Sequence, residues 1–289
     1  MSAFRLLTPL FLLLSLVDAK FGGDFRAFVH NKYGVHVAQQ LERADLGNDA
    51  SMGGSNPGEA SFQRRGRHFG PRDHEQDQPI PRDGPCHWKS TATRAGFRHD
   101  LGRRRRDARV GLVEMKCSYV KQLRSLIIAV FEYTGHKVDI HGQPSGSKVS
   151  AQCTISFLAI LGGLCADTRE VIGPPITELV DTFLSVAGAN SGTSLCFVPI
   201  PVGTCNKKNG LHCDSEFLAD INAQTRYEGD HIFSIFSTHD DKVGFRACGR
   251  LTSPIRKEDG YVLKRGLNHD QTMDSTHNVQ INLIRKHSP

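Results

Sequence analysis

Two short stretches in the C-terminal half decide the fold: FSTHDDKV over Phe236–Val243 and GLNHD over Gly266–Asp270. The first includes the end of an apolar run, Ile232–Phe236, which predicts a buried strand followed by a carboxylate. The second places a histidine in a glycine-containing loop before a helix-like run. An acid after one strand and a histidine in a later loop are two members of a Ser-His-Asp triad, in the chain order acid, then histidine.

The N-terminus predicts export. The chain has 289 residues, enough for one large α/β domain or two small ones. Arg5 precedes the mostly apolar run Leu6–Val17, and a small residue, Ala19, follows. A charged start, a short apolar core and a small-residue cleavage site indicate a secretory signal peptide over residues 1–19. The alternative is an N-terminal membrane anchor, but the run is short for a membrane span.

Eight cysteines fit an oxidising compartment, where disulfides form and persist. No pair has CxxC spacing and no Cys/His group has zinc-finger spacing, so the sequence predicts no metal site. Cys196, Cys205 and Cys213 lie close together in a stretch rich in Gly, Pro and Asn, which predicts a disulfide-stapled surface loop. The connectivity of the cysteines cannot be derived from their spacing.

The positive charge is confined to one segment. The net charge is +6, yet Gln63–Arg109 alone holds 13 Lys/Arg against 6 Asp/Glu, so the remainder is close to neutral. Arg103–Arg106 is the densest run and raises the hypothesis of a nucleic-acid or heparin binder. Charge runs are usually solvated, no aromatic pattern accompanies this one, and a signal peptide argues against nuclear work. We therefore expect no nucleic-acid partner.

Hydrophobic periodicity divides the chain into segments. A helical segment is predicted over residues 20–45, with one helix over Phe25–Ala44, and a low-order basic segment over residues 46–109. Order returns in residues 110–289. There, Met115–Thr134 predicts a helix stopped by Gly135, and three strands are predicted over Val138–Ile140, Leu179–Ala187 and His231–Phe236. This alternation is typical of a parallel α/β sheet.

Several motifs, occurring in the order a known family has them, resemble the class 2 lipases, a group of small secreted α/β-hydrolases, and the nematode lipase-like branch most of all. They are MKCSYVKQ over Met115–Gln122, AILGG over Ala159–Gly163, FLSVAGAN over Phe183–Asn190 and GLNHDQ over Gly266–Gln271. The resemblance covers roughly Val110–Ile284.

The resemblance implies a fold and a pair of site residues. It implies an α/β-hydrolase three-layer sandwich with a mostly parallel sheet, after an N-terminal third that is irregular or disordered. Asp240 would be the triad acid and His269 the base, while the neighbouring Asp241 and Asp270 do not match the family pattern. The acid would orient the imidazole, which would take the proton of the nucleophile. The resemblance also implies lipid or small ester substrates and transient contact with lipid surfaces. It implies no cofactor.

The nucleophile departs from the family pattern. The family carries Gly-x-Ser-x-Gly after the strand that corresponds to Val138–Ile140, where a sharp turn exposes the serine. Here Gly142 and Gly146 are present, but the central residue is Pro144 and the serine follows it as Ser145. Proline offers no nucleophile, and its fixed negative φ does not suit the strained turn. Ser145 can serve only if the turn shifts by one residue.

A second family feature is missing from the sequence before residue 110. The family has a strand there that ends in His-Gly and supplies an oxyanion-hole N–H. Codons for Gly70–Pro81, read one base later, can spell Val-His-Gly-Thr-Thr, and those for His99–Ala108 can spell Thr-Thr-Trp-Gly-Asp-Gly-Gly. Lys148–Leu158 also carries about six residues more than the family has. These observations raise the hypothesis of a frameshifted or mis-spliced reading over residues 70–109 and 148–158.

Two functions follow for the sequence as it stands. The first is a secreted lipase or carboxylesterase that hydrolyses lipid esters through Ser145, Asp240 and His269. The alternative is a catalytically impaired lipase-like protein that acts as a secreted binding protein, because proline occupies the nucleophile position. Chain-length preference depends on pocket shape and cannot be derived from these residues.

Overall fold

The computed structural model describes residues 23–41, 86–90, 96–99, 115–142, 154–198 and 203–288. For residues 86–90 and 96–99 only the backbone, in strand conformation, is described. The predicted signal peptide, the basic run Arg103–Arg106, and both Pro144 and Ser145 lie outside the described residues.

A six-stranded sheet forms the centre of the fold, in the order β10-β7-β6-β3-β1-β2. Its four strands β3, β6, β7 and β10 run parallel, and β1 and β2 extend it antiparallel. Two small antiparallel pairs, β4-β5 and β8-β9, lie outside this sheet. The strands are β1 (Cys86–Ser90), β2 (Gly96–His99), β3 (Val138–Gly142), β4 (Gly163–Leu164), β5 (Val171–Gly173), β6 (Val180–Val186), β7 (His231–Ser237), β8 (Arg246–Ala247), β9 (Arg250–Leu251) and β10 (Gly260–Lys264).

Helices cover both faces of the sheet. Successive residues of β6 point to opposite faces, so Phe183 joins one buried cluster with residues of α3, α4 and α5, while Leu184 joins another with Met273 and Leu283 of α6 and α7. This arrangement confirms the predicted three-layer α/β fold. The helices are α1 (Gly23–Tyr33), α2 (Val35–Leu41), α3 (Cys117–Thr134), α4 (Ile155–Leu161), α5 (Glu216–Ala223), α6 (His269–Asp274) and α7 (His277–Lys286).

The predicted elements of the C-terminal half are found close to their expected bounds. The apolar stripe of α3 packs into the core, and the helix ends before Gly135, whose N–H bonds to the carbonyl of Phe131. Arg124 on α3 is buried and donates to the carbonyls of Ala159 (2.9 Å) and Pro174 (2.5 Å). These bonds tie α3 to α4 and to the residue after β5.

The N-terminal helical segment differs from the prediction. Instead of one helix over Phe25–Ala44, the structure has α1 and α2, separated by Gly34 with φ +89°. Glycine adopts this left-handed conformation without the steric penalty of other residues, so it ends the first helix. Phe25 and Val29 of α1 remain buried in the main core. Within the predicted low-order segment, the structure describes the backbone of β1 and β2.

Disulfide bonds link three pairs of cysteines in the described residues: Cys117–Cys165, Cys196–Cys205 and Cys213–Cys248. The second closes the loop that the sequence predicts to be stapled. Cys213, expected in the same loop, instead bonds to Cys248 beside β9, because the fold brings these two distant segments together. Within the described ranges, no helix is both long enough and apolar enough to cross a bilayer.

Candidate active site

Asp240 and His269 lie at the edge of the sheet where the parallel strands end. Asp240 follows the carboxyl end of β7, and His269 is the first residue of α6, after β10. The parallel pairing of β7 with β10 brings both connections to the same edge. This edge is where ligands bind in open α/β sheets.

The side chains of Asp240 and His269 form a buried hydrogen-bonded pair. The distance from Asp240 Oδ2 to His269 Nδ1 is 2.8 Å, and the two side chains are 2% and 0% exposed. A buried carboxylate at this distance fixes the ring orientation and keeps the proton on Nδ1. The pair that the sequence predicts is therefore in contact.

The other oxygen of Asp240 is held by the backbone. Its Oδ1 accepts hydrogen bonds from the N–H groups of Lys242 (3.0 Å) and Val243 (2.8 Å). Burial alone would raise the pKa of Asp240, but its hydrogen bond and charge interaction with His269, together with the two backbone N–H donors, lower the pKa below its ordinary value. Asp240 is thus kept ionised beside the imidazole.

The neighbouring acids, Asp241 and Asp270, have different partners. Asp241 Oδ1 accepts the backbone N–H of His269 at 3.0 Å, and this hydrogen bond lowers the pKa of Asp241. An N–H in the first turn of a helix has no partner within the helix, so Asp241 satisfies a donor that is otherwise free. Asp270 Oδ1 accepts from Lys242 Nζ at 2.6 Å. Sequence reasoning missed these contacts because both join the loop after β7 to the first turn of α6, which is distant in sequence.

Further hydrogen bonds hold the two loops together. Gly266 N–H donates to His239 Nδ1 at 3.3 Å, and Thr238 N–H donates to the carbonyl of Lys264 at 3.0 Å. Asn268 begins α6 with a capping box, since its side chain accepts the N–H of Gln271 while the Gln271 side chain accepts the N–H of Asn268. His269 is consequently fixed through its ring, its backbone and its helix.

The second ring nitrogen of His269 is available for chemistry. Nε2 is buried and has no hydrogen-bond partner among the described residues. In a triad this nitrogen takes the proton of the nucleophile. The parallel strand that would lead to the nucleophile, β3, is described as far as Gly142. Ser145 lies beyond it, in a part of the chain that the structure does not describe.

The motif Phe183–Asn190 has a structural role at the same edge. Asn190 Nδ2 donates to Ser185 Oγ at 3.0 Å and to the carbonyl of Ser253 at 2.5 Å, and Asn190 is buried. A Cβ on Gly188 would lie 2.3 Å from Ser185 Oγ and 2.4 Å from Asn190 Oδ1, so any larger residue would displace these hydrogen-bonded side chains. These contacts fix the conformation of the chain after β6, beside β7, the strand that leads to Asp240.

Neither group of potential metal ligands in the described residues includes Asp240 or His269. Of the two groups of potential metal ligands within the described ranges, one is Cys117, Cys165 and Asp167, whose cysteines are joined in a disulfide and cannot ligate as thiolates. The other is Asp181, His231 and His287, in which His231 is the first residue of β7 and so lies at the opposite edge of the sheet.

The family model for Lipase (class 2) matches residues 100–282. The chain belongs to the class 2 lipase family. A search of the curated proteins found no match. Membership in this lipase family supports a lipase-like hydrolase and implies lipid or ester substrates.

Proposed function

We propose that this class 2 lipase-family protein is a secreted lipase or carboxylesterase in which Asp240 and His269 are the acid and base of a triad. The observation that carries the proposal is the buried 2.8 Å contact of Asp240 Oδ2 with His269 Nδ1, with His269 Nε2 unpartnered among the described residues. A fixed imidazole with one free nitrogen has the arrangement of a general base.

The proposed reaction uses the imidazole as a proton shuttle. A serine hydroxyl gives its proton to His269 Nε2 while its oxygen attacks the ester carbonyl, and backbone N–H groups stabilise the oxyanion. The protonated imidazole, stabilised by Asp240, then donates the proton to the leaving alcohol. Water repeats the sequence on the acyl-serine, releasing the acid. The chemistry needs no cofactor.

Ser145 is the proposed nucleophile, by its place in the sequence. It stands one residue after the family position, which Pro144 occupies, between Gly142 and Gly146. For Ser145 to act, the turn after β3 must place it where the family places the preceding residue. Pro144 also favours the second candidate, a catalytically impaired protein that binds lipids or another secreted partner.

Export is supported by one sequence prediction and one structural observation. The sequence begins with a predicted signal peptide over residues 1–19. Three disulfides occur in the described residues. Disulfides of this kind persist in extracellular compartments. We propose that the secreted protein consists of a helical segment, residues 20–45, a basic segment, residues 46–109, and the lipase domain, residues 110–289.

The test is ester hydrolysis combined with active-site labelling. Purified protein is assayed on a short-chain nitrophenyl ester and a triglyceride emulsion, and treated with a fluorophosphonate that labels activated serines. We expect turnover and a label on Ser145, with both lost in Ser145→Ala and retained in the matched variant Ser147→Ala. Absence of turnover and of labelling would favour the binding protein. The transcript sequence across residues 70–158 tests the reading-frame hypothesis separately.

A further inference from the structure

A second histidine–aspartate cluster lies at the amino edge of the sheet. Asp181 is the second residue of β6, His231 is the first residue of β7, and His287 follows the last turn of α7. The register places His231 opposite Thr182, next to Asp181. Because β7 has seven residues, this edge is roughly 20 Å from the Asp240–His269 pair. The cluster therefore takes no part in the proposed hydrolysis.

The three side chains present their ligand atoms to one another. His287 Nε2 lies 3.3 Å from Asp181 Oδ2. The rings of His231 and His287 stack with centroids 3.8 Å apart and planes 12° apart. One oxygen of Asp181 and one nitrogen of each imidazole all lie within 4.8 Å of one another. Two nitrogens and one oxygen thus surround a small volume.

These separations are close to those of a metal centre. Zinc binds imidazole nitrogen at about 2.0–2.1 Å and carboxylate oxygen at about 2.0–2.2 Å, so neighbouring ligand atoms of a tetrahedron are about 3.3–3.5 Å apart. The contact between His287 and Asp181 already has this length. The remaining pairs need to close by at most about 1.5 Å, through rotation of the half-buried His231 ring out of the stack.

An unsatisfied polar atom points to a ligand at this place. His287 Nε2 is buried, yet despite its 3.3 Å approach to Asp181 it makes no hydrogen bond with any residue the structure describes. On the neighbouring strand β3, the buried Asp139 interacts with Asp181, and desolvation together with the charge of Asp181 raises the pKa of Asp139 to about 7. His287 also follows the carboxyl end of α7, where the helix dipole favours a cation.

We propose that Asp181, His231 and His287 bind a divalent transition-metal ion of the zinc class. Two imidazoles and one carboxylate suit zinc, cobalt or nickel, whereas magnesium and calcium prefer oxygen ligands alone. Three protein ligands leave the fourth position to water. The ion would hold the end of α7 against β6 and β7.

The competing interpretation is a proton instead of a metal. His287, when protonated, would form an ion pair with Asp181 at the same 3.3 Å distance. The two interpretations predict opposite pH dependence, because a metal requires neutral imidazoles and binds less tightly in acid, whereas the ion pair needs a protonated imidazole. Asp139 on β3 also faces Asp181 and has a pKa raised to about 7, so its own protonation between pH 7.5 and 5.5 accompanies either case.

The experiment uses tag-free full-length protein, treated with a chelator and then freed of it. Zn²⁺ binding is measured by titration calorimetry at pH 7.5 and pH 5.5, thermal unfolding is recorded with and without Zn²⁺, and Co²⁺ supplies an absorption spectrum of the ligand field. We expect one ion per chain, a higher Tm with metal, a tetrahedral Co²⁺ spectrum and weaker binding at pH 5.5.

Variants assign the ion to this cluster. His287→Gln and Asp181→Asn should each weaken Zn²⁺ binding at least tenfold, whereas His136→Gln, at an exposed histidine outside the cluster, should leave it unchanged. Equal binding by His287→Gln and wild type would overturn the proposal, as would a Tm that responds to acid but not to metal. Because the readout is binding, its failure leaves the proposed hydrolase activity untouched, and the reverse also holds.

Discussion

The two edges of the sheet place acidic side chains in opposite environments. At the carboxyl edge, Asp240 and His269 are almost fully buried, and hydrogen bonds to His269 and the backbone lower the pKa of Asp240 despite its burial. At the amino edge, just before β7 and β10, Glu228 and Glu258 have unpartnered oxygens within the described part of the chain. Desolvation is the main cause that raises the pKa of both to about 7, and for Glu258 the charges of Glu228 and Asp259 add to it.

The comparison shows that burial alone does not decide the charge of an acidic side chain; its hydrogen-bond and charge partners also count. A buried acid whose hydrogen bonds and charge partner outweigh its desolvation stays charged and can orient a base, whereas a buried acid whose donors do not offset desolvation is partly neutral near physiological pH. At the same amino edge, the side chains of Asp181 and His287 are partly exposed, at 21% and 32%. Burial with donors suits fixed catalytic groups, and partial exposure suits ligand exchange.

The largest expected effect is on turnover at the carboxyl edge. Asp240→Asn keeps the shape of the side chain but no longer holds the proton on His269 Nδ1, so we expect kcat for ester hydrolysis to fall about 10⁴-fold. Steady-state kinetics measure this. The matched control at the amino edge is Asp230→Asn, which removes only an exposed ion pair with Lys137 and should leave kcat unchanged. A less than tenfold loss in Asp240→Asn would contradict the assigned role.

The second effect is on stability at the amino edge. Since the pKa of Glu228 is raised from 4.5 to about 7, the folded state binds the proton more tightly, and stability decreases as pH rises from about 4.5 through about 7. Glu228→Gln removes this cost. We expect the free energy of unfolding to rise by roughly 3 kcal/mol at pH 8 and to change little at pH 4.

Denaturant unfolding at the two pH values measures that difference. Glu216→Gln, at an exposed acid paired with Arg169, is the control and should change stability by less than about 0.5 kcal/mol at either pH. Asp240 gives the opposite sign. Its lowered pKa contributes stability above about pH 4 that is lost as pH falls further, so the acid limb of the curve should flatten in Asp240→Asn.

A smaller effect is expected at the start of α6. Asn268→Ala removes the capping box and should cost about 1 kcal/mol of stability. Because His269 is the next residue, kcat should also fall several-fold. Ser215→Ala is the matched control, since Ser215 caps α5 by accepting the N–H of Leu218. It should lower stability similarly without changing kcat; an equal loss of kcat in both variants would show a general loss of folded enzyme.

The smallest effect is expected at Asp241, which is exposed and accepts the backbone N–H of His269. Asp241→Ala should lower kcat by less than tenfold with KM unchanged, because the substrate does not contact this residue in the proposed reaction. Asp241→Asn retains an oxygen acceptor and should recover most of the activity. The role fails if the alanine and asparagine variants have the same kcat.

Sequence patterns predicted the elements that depend on local order. The stripe of α3 and the apolar runs of β6 and β7 have clear hydrophobic patterns, and the family motifs point to Asp240 and His269 without any knowledge of their distance. The one-helix prediction for Phe25–Ala44 was wrong because a single glycine, Gly34, interrupts an otherwise suitable period.

Contacts between distant segments could not be predicted in this way. Asp241 satisfies an N–H whose position depends on the pairing of β7 with β10. Asp181, His231 and His287 come from three separate elements, so a rule based on ligand spacing cannot detect them. The pairing of Cys213 with Cys248 has the same origin, since it joins segments 35 residues apart, and cysteine spacing alone leaves the connectivity open.

The Cys117–Cys165 disulfide has a consequence for how the nucleophile segment can be altered. It joins the start of α3 to the residues after α4, so β3 and the whole stretch from Gln143 to Cys153 lie inside a covalent ring. A protease that cut within this stretch would yield two chains that separate only after reduction. The same disulfide would keep both ends of a replacement segment covalently connected. A Gly-x-Ser-x-Gly sequence could therefore be introduced between Gly142 and Thr154 without opening the ring.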